Sequence, residues 1–122
     1  MLKKTMTYKD FNGLSRTEDF YFNLTQAEVS EMELGTEGTL SEMIKSVVNA
    51  NNLPSIIKIF KDLVLKAYGV KSADGKRFIK TPEVVAEFAQ TQAYSDLFME
   101  LATDPDKAAA FFNAIIPQTD NK

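Results

Sequence analysis

The chain has 122 residues, with 14 Lys+Arg against 17 Asp+Glu, a formal net charge of −3, and neither Cys, His nor Trp. The absence of Cys excludes a disulfide framework, thiol chemistry and cysteine metal sites, and the absence of His removes the commonest general base and transition-metal ligand. The length suits one domain, and 44% hydrophobic residues is enough for a real core and too much for wholesale disorder.

Residues 2–24 read as a β-hairpin. Leu2, Lys4, Met6 and Tyr8 alternate with Lys3, Thr5 and Thr7, and Phe20, Phe22 and Leu24 alternate with Tyr21 and Asn23. A two-residue Asn12-Gly13 loop would pair Met6 with Asp19 and put the two apolar sets on opposite faces. A three-residue loop, Phe11-Asn12-Gly13, pairs Met6 with Glu18 and Lys4 with Phe20 and brings both sets to one face. It also fits Asp at the first turn position and Gly at the left-handed one, so it is the preferred register. Phe20-Tyr21-Phe22 is apolar on both faces, so Tyr21 is expected to be covered, and it is a candidate self-association residue.

Thr25-Gln26-Ala27-Glu28 is a capping box that opens a short helix ending near Leu34. A second helix is expected from Thr39 or Ser41 to about Asn51. A third covers 54–68; it is apolar around most of its circumference, which predicts a central buried helix stopped by Gly69. Residues 70–80 form a loop around Asp74-Gly75 that can close as a small hairpin. Thr81-Pro82-Glu83 starts a helix to about Ala89, the apolar spacing predicts another over 92–102, and Asp104-Pro105-Asp106 starts the last, 105–116, ended by Pro117. The expected class is α+β, mainly α: an N-terminal β-hairpin (2–24), then about six helices, in a single domain 1–117 with a polar tail 118–122.

The small net charge conceals blocks of +1, −4, +5 and −5 over residues 1–24, 25–52, 53–80 and 81–122. Either these are separate solvated helix faces, or acidic and basic faces meet within the fold or between subunits. Asp104 and Asp106 read as a helix cap, since the ligands a Ca²⁺ loop needs do not follow. The glutamates from Glu28 to Glu42 read as a solvated acidic face, and the Gly35 and Gly75 strings match no phosphate-binding fingerprint. No catalytic residue, cofactor or metal is expected. Lys71, Lys76, Arg77 and Lys80, with Phe78 between them, form a basic loop that is a candidate phosphate contact or simply solvated. The second helix of any helix–turn–helix over 82–102 would offer Asp96 and Glu100 and no base, so nucleic acid is not an expected partner. Met1 to Thr7 has no apolar stretch behind its lysines, and Ser55 to Tyr68 is too short and too charged to span a bilayer, so a soluble intracellular protein without a membrane partner is expected. The last helix is apolar on nearly all sides over Ala108 to Ile116 and therefore either inserts into the core or meets a partner through Phe111, Phe112, Ile115 and Ile116. Met32, Met43 and Met99 are candidates for an adaptable groove or for core filling.

The string from Tyr8 to Gly13, Glu18 to Thr25, Lys71 to Lys80 and Tyr94 to Thr103 together resemble the tail assembly chaperones of long-tailed phages and prophages of Gram-positive bacteria. The resemblance runs from about residue 3 to 117 and rests on whole-chain texture rather than a catalytic signature. It implies a protein that is not an enzyme, works in the host bacterial cytoplasm and leaves before the virion matures. It implies binding to the helical tape-measure protein, keeping it soluble while tail-tube protein subunits polymerise around it. Many members are made in two lengths by a −1 ribosomal frameshift, of which this chain would be the shorter. The family has no motif that assigns binding residues, so Phe111, Phe112, Ile115 and Ile116 stand as the expected client surface on physical grounds alone. Self-association, a structural virion role in the neck or in tail completion, and binding to a host factor remain open alternatives.

Overall fold

The computed structural model describes residues 1–34, 42, 45–46 and 53–117. Apart from residues 42 and 45–46, the helix expected from Thr39 or Ser41 to about Asn51 lies outside the described residues, as does the tail 118–122. Strands β1 (Leu2–Lys9) and β2 (Ser15–Phe22) form the N-terminal hairpin. Helix α1 (Gln26–Glu33) and helix α2 (Leu53–Ala67) follow, then strands β3 (Tyr68–Lys71) and β4 (Phe78–Ile79). Helices α3 (Pro82–Ala89), α4 (Gln92–Thr103) and α5 (Pro105–Ile115) complete the described chain. The strands make one antiparallel sheet in the order β1-β2-β3-β4. The α+β reading holds, with five helices among the described residues.

The hairpin adopts the register its turn chemistry dictates. Met6 lies opposite Glu18 and Lys4 opposite Phe20. Asp10 N donates to Leu14 O and Gly13 N to Asp10 O, both at 2.9 Å, closing the three-residue loop. The Asp10 carboxylate accepts from the amides of Asn12 and Leu14 and pairs with Arg16. The Arg16 hydrogen bond, aided by those amides, holds the Asp10 carboxyl below its ordinary range. Gly13 sits at φ 82°, and an added Cβ would meet nothing within 4 Å. Gly13→Ala is therefore expected to cost about 1 kcal/mol of conformational strain without a clash. A urea titration of the variant checks this.

One face of the sheet carries the core. Met6, Tyr8, Phe20 and Phe22 are buried, while Lys3, Thr5, Thr7 and Lys9 on the other face of β1 are exposed. Phe22 touches the rings of Tyr68, Phe88 and Phe111 at 5.2–5.8 Å, and Tyr68 stacks on Phe88 at 4.1 Å. These contacts fasten α3 and α5 to the sheet through aromatic edges and faces, which adds to the area they bury. Helices α4 and α5 lie against β1, and α2 lies against α4.

Two expectations are corrected. Helix α2 buries one stripe, Phe60, Leu63, Val64 and Ala67, and leaves Ile57 41% exposed, so it is not buried all round. The amphipathic rule decides this: Lys58, Lys61, Asp62 and Lys66 need water and hold that side of the helix outward. Gly69 is not a left-handed helix stop either. The helix ends at Ala67 and passes directly into β3, where Gly69 pairs with Tyr21. A glycine is needed there because an added Cβ would lie 2.8 and 2.9 Å from the Phe78 ring and 3.0 Å from the Ile79 carbonyl. The Val70 to Lys80 segment does close as a hairpin, with Gly75 at φ 75° and the Asp74 carboxylate accepting from Ser72 Oγ and the Lys76 amide.

Candidate functional site

Helix α5 begins as its sequence requires: Asp104 caps it by accepting from the amides of Asp106 and Lys107, with Pro105 at its first position. The helix inserts into the core. Phe111, Phe112 and Ile115 are 5%, 1% and 1% exposed, and Ile116 is half-buried and packs against the same cluster. Phe112 lies 4.8 Å from the Phe60 ring, and Ile115 O accepts from Leu24 N at 3.0 Å. Of the two alternatives for this helix, insertion into the core is the one the described fold adopts, and Phe111, Phe112 and Ile115 are not presented on its surface. The surplus apolarity of the helix comes from alanine: Ala109, Ala110 and Ala114 are on the exposed side with Asn113. Alanine favours helix while carrying little apolar area, so it reads as hydrophobic without demanding burial.

Tyr21 lies half-buried on the outer face of the sheet, and Lys71 Nζ sits 4.6 Å from its ring centroid. The cover that Tyr21 needs is thus a lysine of the same chain, held by cation–π attraction. The basic loop divides. Lys76 and Arg77 are exposed in the β3–β4 turn, and Lys71 is committed to Tyr21. Lys80 turns inward, donating to Asn23 O at 2.7 Å and to both Glu28 oxygens at 2.8 and 2.9 Å. The four cations therefore do not form one patch.

Glu28 closes the capping box with Thr25 and takes the Lys80 pair, so the acidic block meets the basic one inside the fold. Burial pushes the Glu28 carboxyl up, but the hydrogen bond and charge of Lys80, with the Thr25 amide, outweigh it and hold the group below its ordinary 4.5. Folded Glu28 thus binds a proton more weakly than unfolded Glu28. Its contribution to stability is complete above pH 4.5 and is lost as pH falls through the lower folded value. Lys80→Met is expected to cost roughly 1–2 kcal/mol at pH 7. The gap from the unsubstituted chain should narrow below pH 4.5, as unfolding titrations at pH 7 and pH 3 would show.

Composition gave no sign of the free edge of β1. Strand β1 ends the sheet, and its register with Asp10–Leu14 directs the amides and carbonyls of Lys3, Thr5, Thr7 and Lys9 away from β2. Two grooves follow this edge. One, about 440 Å³, lies between Leu2–Thr5 and the α4–α5 pair, over Leu101, Ala110 and Phe111. The other, about 570 Å³, lies between Thr7–Phe11 and the start of α4 at Gln92 and Asp96. At its end the hairpin tip exposes Phe11 (78%) and Leu14 (58%). Glu100 lies beside the first groove, 3.2 Å from Lys4 and 4.0 Å from Lys107. Met32 packs on the core and lines a third groove of about 310 Å³ with Ile59 and Leu63, whereas Met99 is exposed and Met43 is outside the described residues.

Among the described residues no group of three or more His, Cys, Asp or Glu is arranged to hold a metal ion, and no helix is long and apolar enough to cross a membrane. What the described surface offers is a strand edge, flanking grooves and exposed apolar tips, the equipment of a protein that binds other proteins. A family model for phage tail assembly chaperones matches residues 1–120. The chain belongs to that family. Searches of curated proteins and of solved structures found no match.

Proposed function

We propose that this chain acts in the host bacterial cytoplasm as a non-enzymatic chaperone of the tape-measure protein, keeping it soluble while tail-tube subunits assemble around it. The observation that carries this reading is the family match over residues 1–120. Physical chemistry supports it. A long helical protein with an apolar face aggregates until its partners cover that face, and a chaperone for it needs adaptable contact surface rather than a reactive group.

Affinity capture with the tagged chain, from cells that also express the phage's tape-measure protein, tests the reading. Retention of the tape-measure protein, together with absence of the chain from purified virions, is the expected result. Stoichiometric presence in virions would instead make the chain a structural component. Capture of a host protein with no retention of the tape-measure protein would replace the chaperone reading by a host-factor role.

A further inference from the structure

We propose that the free edge of β1 is a docking site for an extended segment of another protein, which adds a fifth strand to the sheet. The segment carries acidic residues on the face that meets Lys3 and Lys9, and apolar residues that enter the groove over Leu101 and Phe111. The inference holds whichever protein supplies the segment and does not rest on the tape-measure reading.

The backbone argues first. β1 has eight residues and lies at the end of the sheet. Asp10 N bonds Leu14 O across the hairpin, so the even-numbered residues of β1 form the hydrogen-bonded pairs with β2. Asn23 N bonds Ala67 O on the far side of β2, which fixes the same alternation there. The outward groups of Lys3, Thr5, Thr7 and Lys9 have no hydrogen-bond partner among the described residues, and all four residues are exposed. Such a row of alternating donors and acceptors matches another extended backbone.

The side chains then select the occupant. In an added strand, residues opposite Leu2, Lys4, Met6 and Tyr8 point to the helix side, where Leu101, Ala110 and Phe111 line the groove together with the Lys4–Glu100 ion pair and Lys107. Residues of the other parity face Lys3, Thr5, Thr7 and Lys9, of which two are cations; the neighbouring anion on this face, Asp19 of β2, already accepts a hydrogen bond from Thr5 Oγ1 at 2.6 Å. A second copy of β1 fits poorly. The antiparallel register that uses the whole edge of both copies sets Thr5 opposite Thr7 and Lys3 opposite Lys9 at each end, and like charges directly opposite are destabilising. The lysines thus discourage self-pairing and favour an acidic strand.

The test uses the full-length ¹⁵N-labelled chain and two synthetic eight-residue peptides, one alternating glutamate with valine and the other lysine with valine. The glutamate peptide is expected to bind saturably and to slow amide exchange at Lys3, Thr5, Thr7 and Lys9 by at least about tenfold, while the lysine peptide does not bind. Thr5→Pro is expected to abolish binding and leave the fold intact, because the Thr5 amide makes no bond within the sheet. The exposed pair Lys3→Glu/Lys9→Glu supplies an independent variant and is expected to switch the preference to the lysine peptide. Three results would each overturn the proposal: failure of the glutamate peptide to bind, equal binding of both peptides, or binding that leaves those four amides unprotected. Protection of the same amides in the peptide-free chain, rising with its concentration, would also overturn it by showing that a second copy occupies the edge.

Discussion

Ile115→Asp is expected to unfold the chain rather than to weaken a surface contact selectively. Ile115 is 1% exposed at the end of α5, in the cluster that joins this helix to the sheet and to α2. A carboxylate there must either stay charged in an apolar site or take a proton and still lack a full set of hydrogen-bond partners. The lost packing adds to that penalty, so the total is on the order of 5 kcal/mol, comparable with the whole stability of a domain this size. Ala114→Asp, one residue earlier and exposed, brings the same charge and should change stability by only about 0.5 kcal/mol. Circular dichroism and urea titration of the two variants separate these outcomes. An Ile115→Asp chain that melts like the unsubstituted one would contradict the buried placement of α5.

Gly69→Ala should cost about 1–3 kcal/mol although the added group is one methyl. The Cβ would stand 2.8 Å from Phe78 Cε2 and 3.0 Å from the Ile79 carbonyl, so both a ring and a backbone must give. Moving them disturbs the β3–β4 pairing and the Lys80 ammonium, which sits 5.5 Å from the Phe78 ring centroid. Part of the strain is relieved when the ring is absent. The double variant Gly69→Ala/Phe78→Ala should therefore lose less stability than the two single losses added together. Strict additivity in urea titrations would show that the ring and the glycine do not share this space.

Local chemistry made much of the fold legible. Asp10, Asn12 and Gly13 specify a three-residue loop, the loop sets the register, and the register decides which face of the hairpin is apolar. Thr25, Thr81 and Asp104 mark helix starts because a side-chain oxygen is the cheapest partner for an unpaired first-turn amide. The helix content and the N-terminal hairpin followed from such signals. The role of Gly69 did not, because it depends on Phe78 folding back over it nine residues later in the chain. The pairing of β2 with β3 was equally hidden, since the Asn23 to Ala67 bond joins residues far apart in sequence.

The site was less legible than the fold. An apolar helix rich in alanine has no strong polar face, so periodicity cannot say whether α5 turns inward or outward. The outcome depends on whether Phe22 and Phe60 supply facing rings, and the structure shows that they do, to Phe111 and Phe112. The free edge of β1 is a property of sheet order. Residue types record it only through Lys3 and Lys9, which composition counts as ordinary surface charge.

The most direct measurement of the chaperone role is the soluble fraction of the phage's tape-measure protein, expressed alone and with this chain at matched levels. The expected result is precipitation alone and recovery in the supernatant with the chain, in a complex that survives size-exclusion chromatography. Equal precipitation with and without a folded, abundant chain would contradict the role.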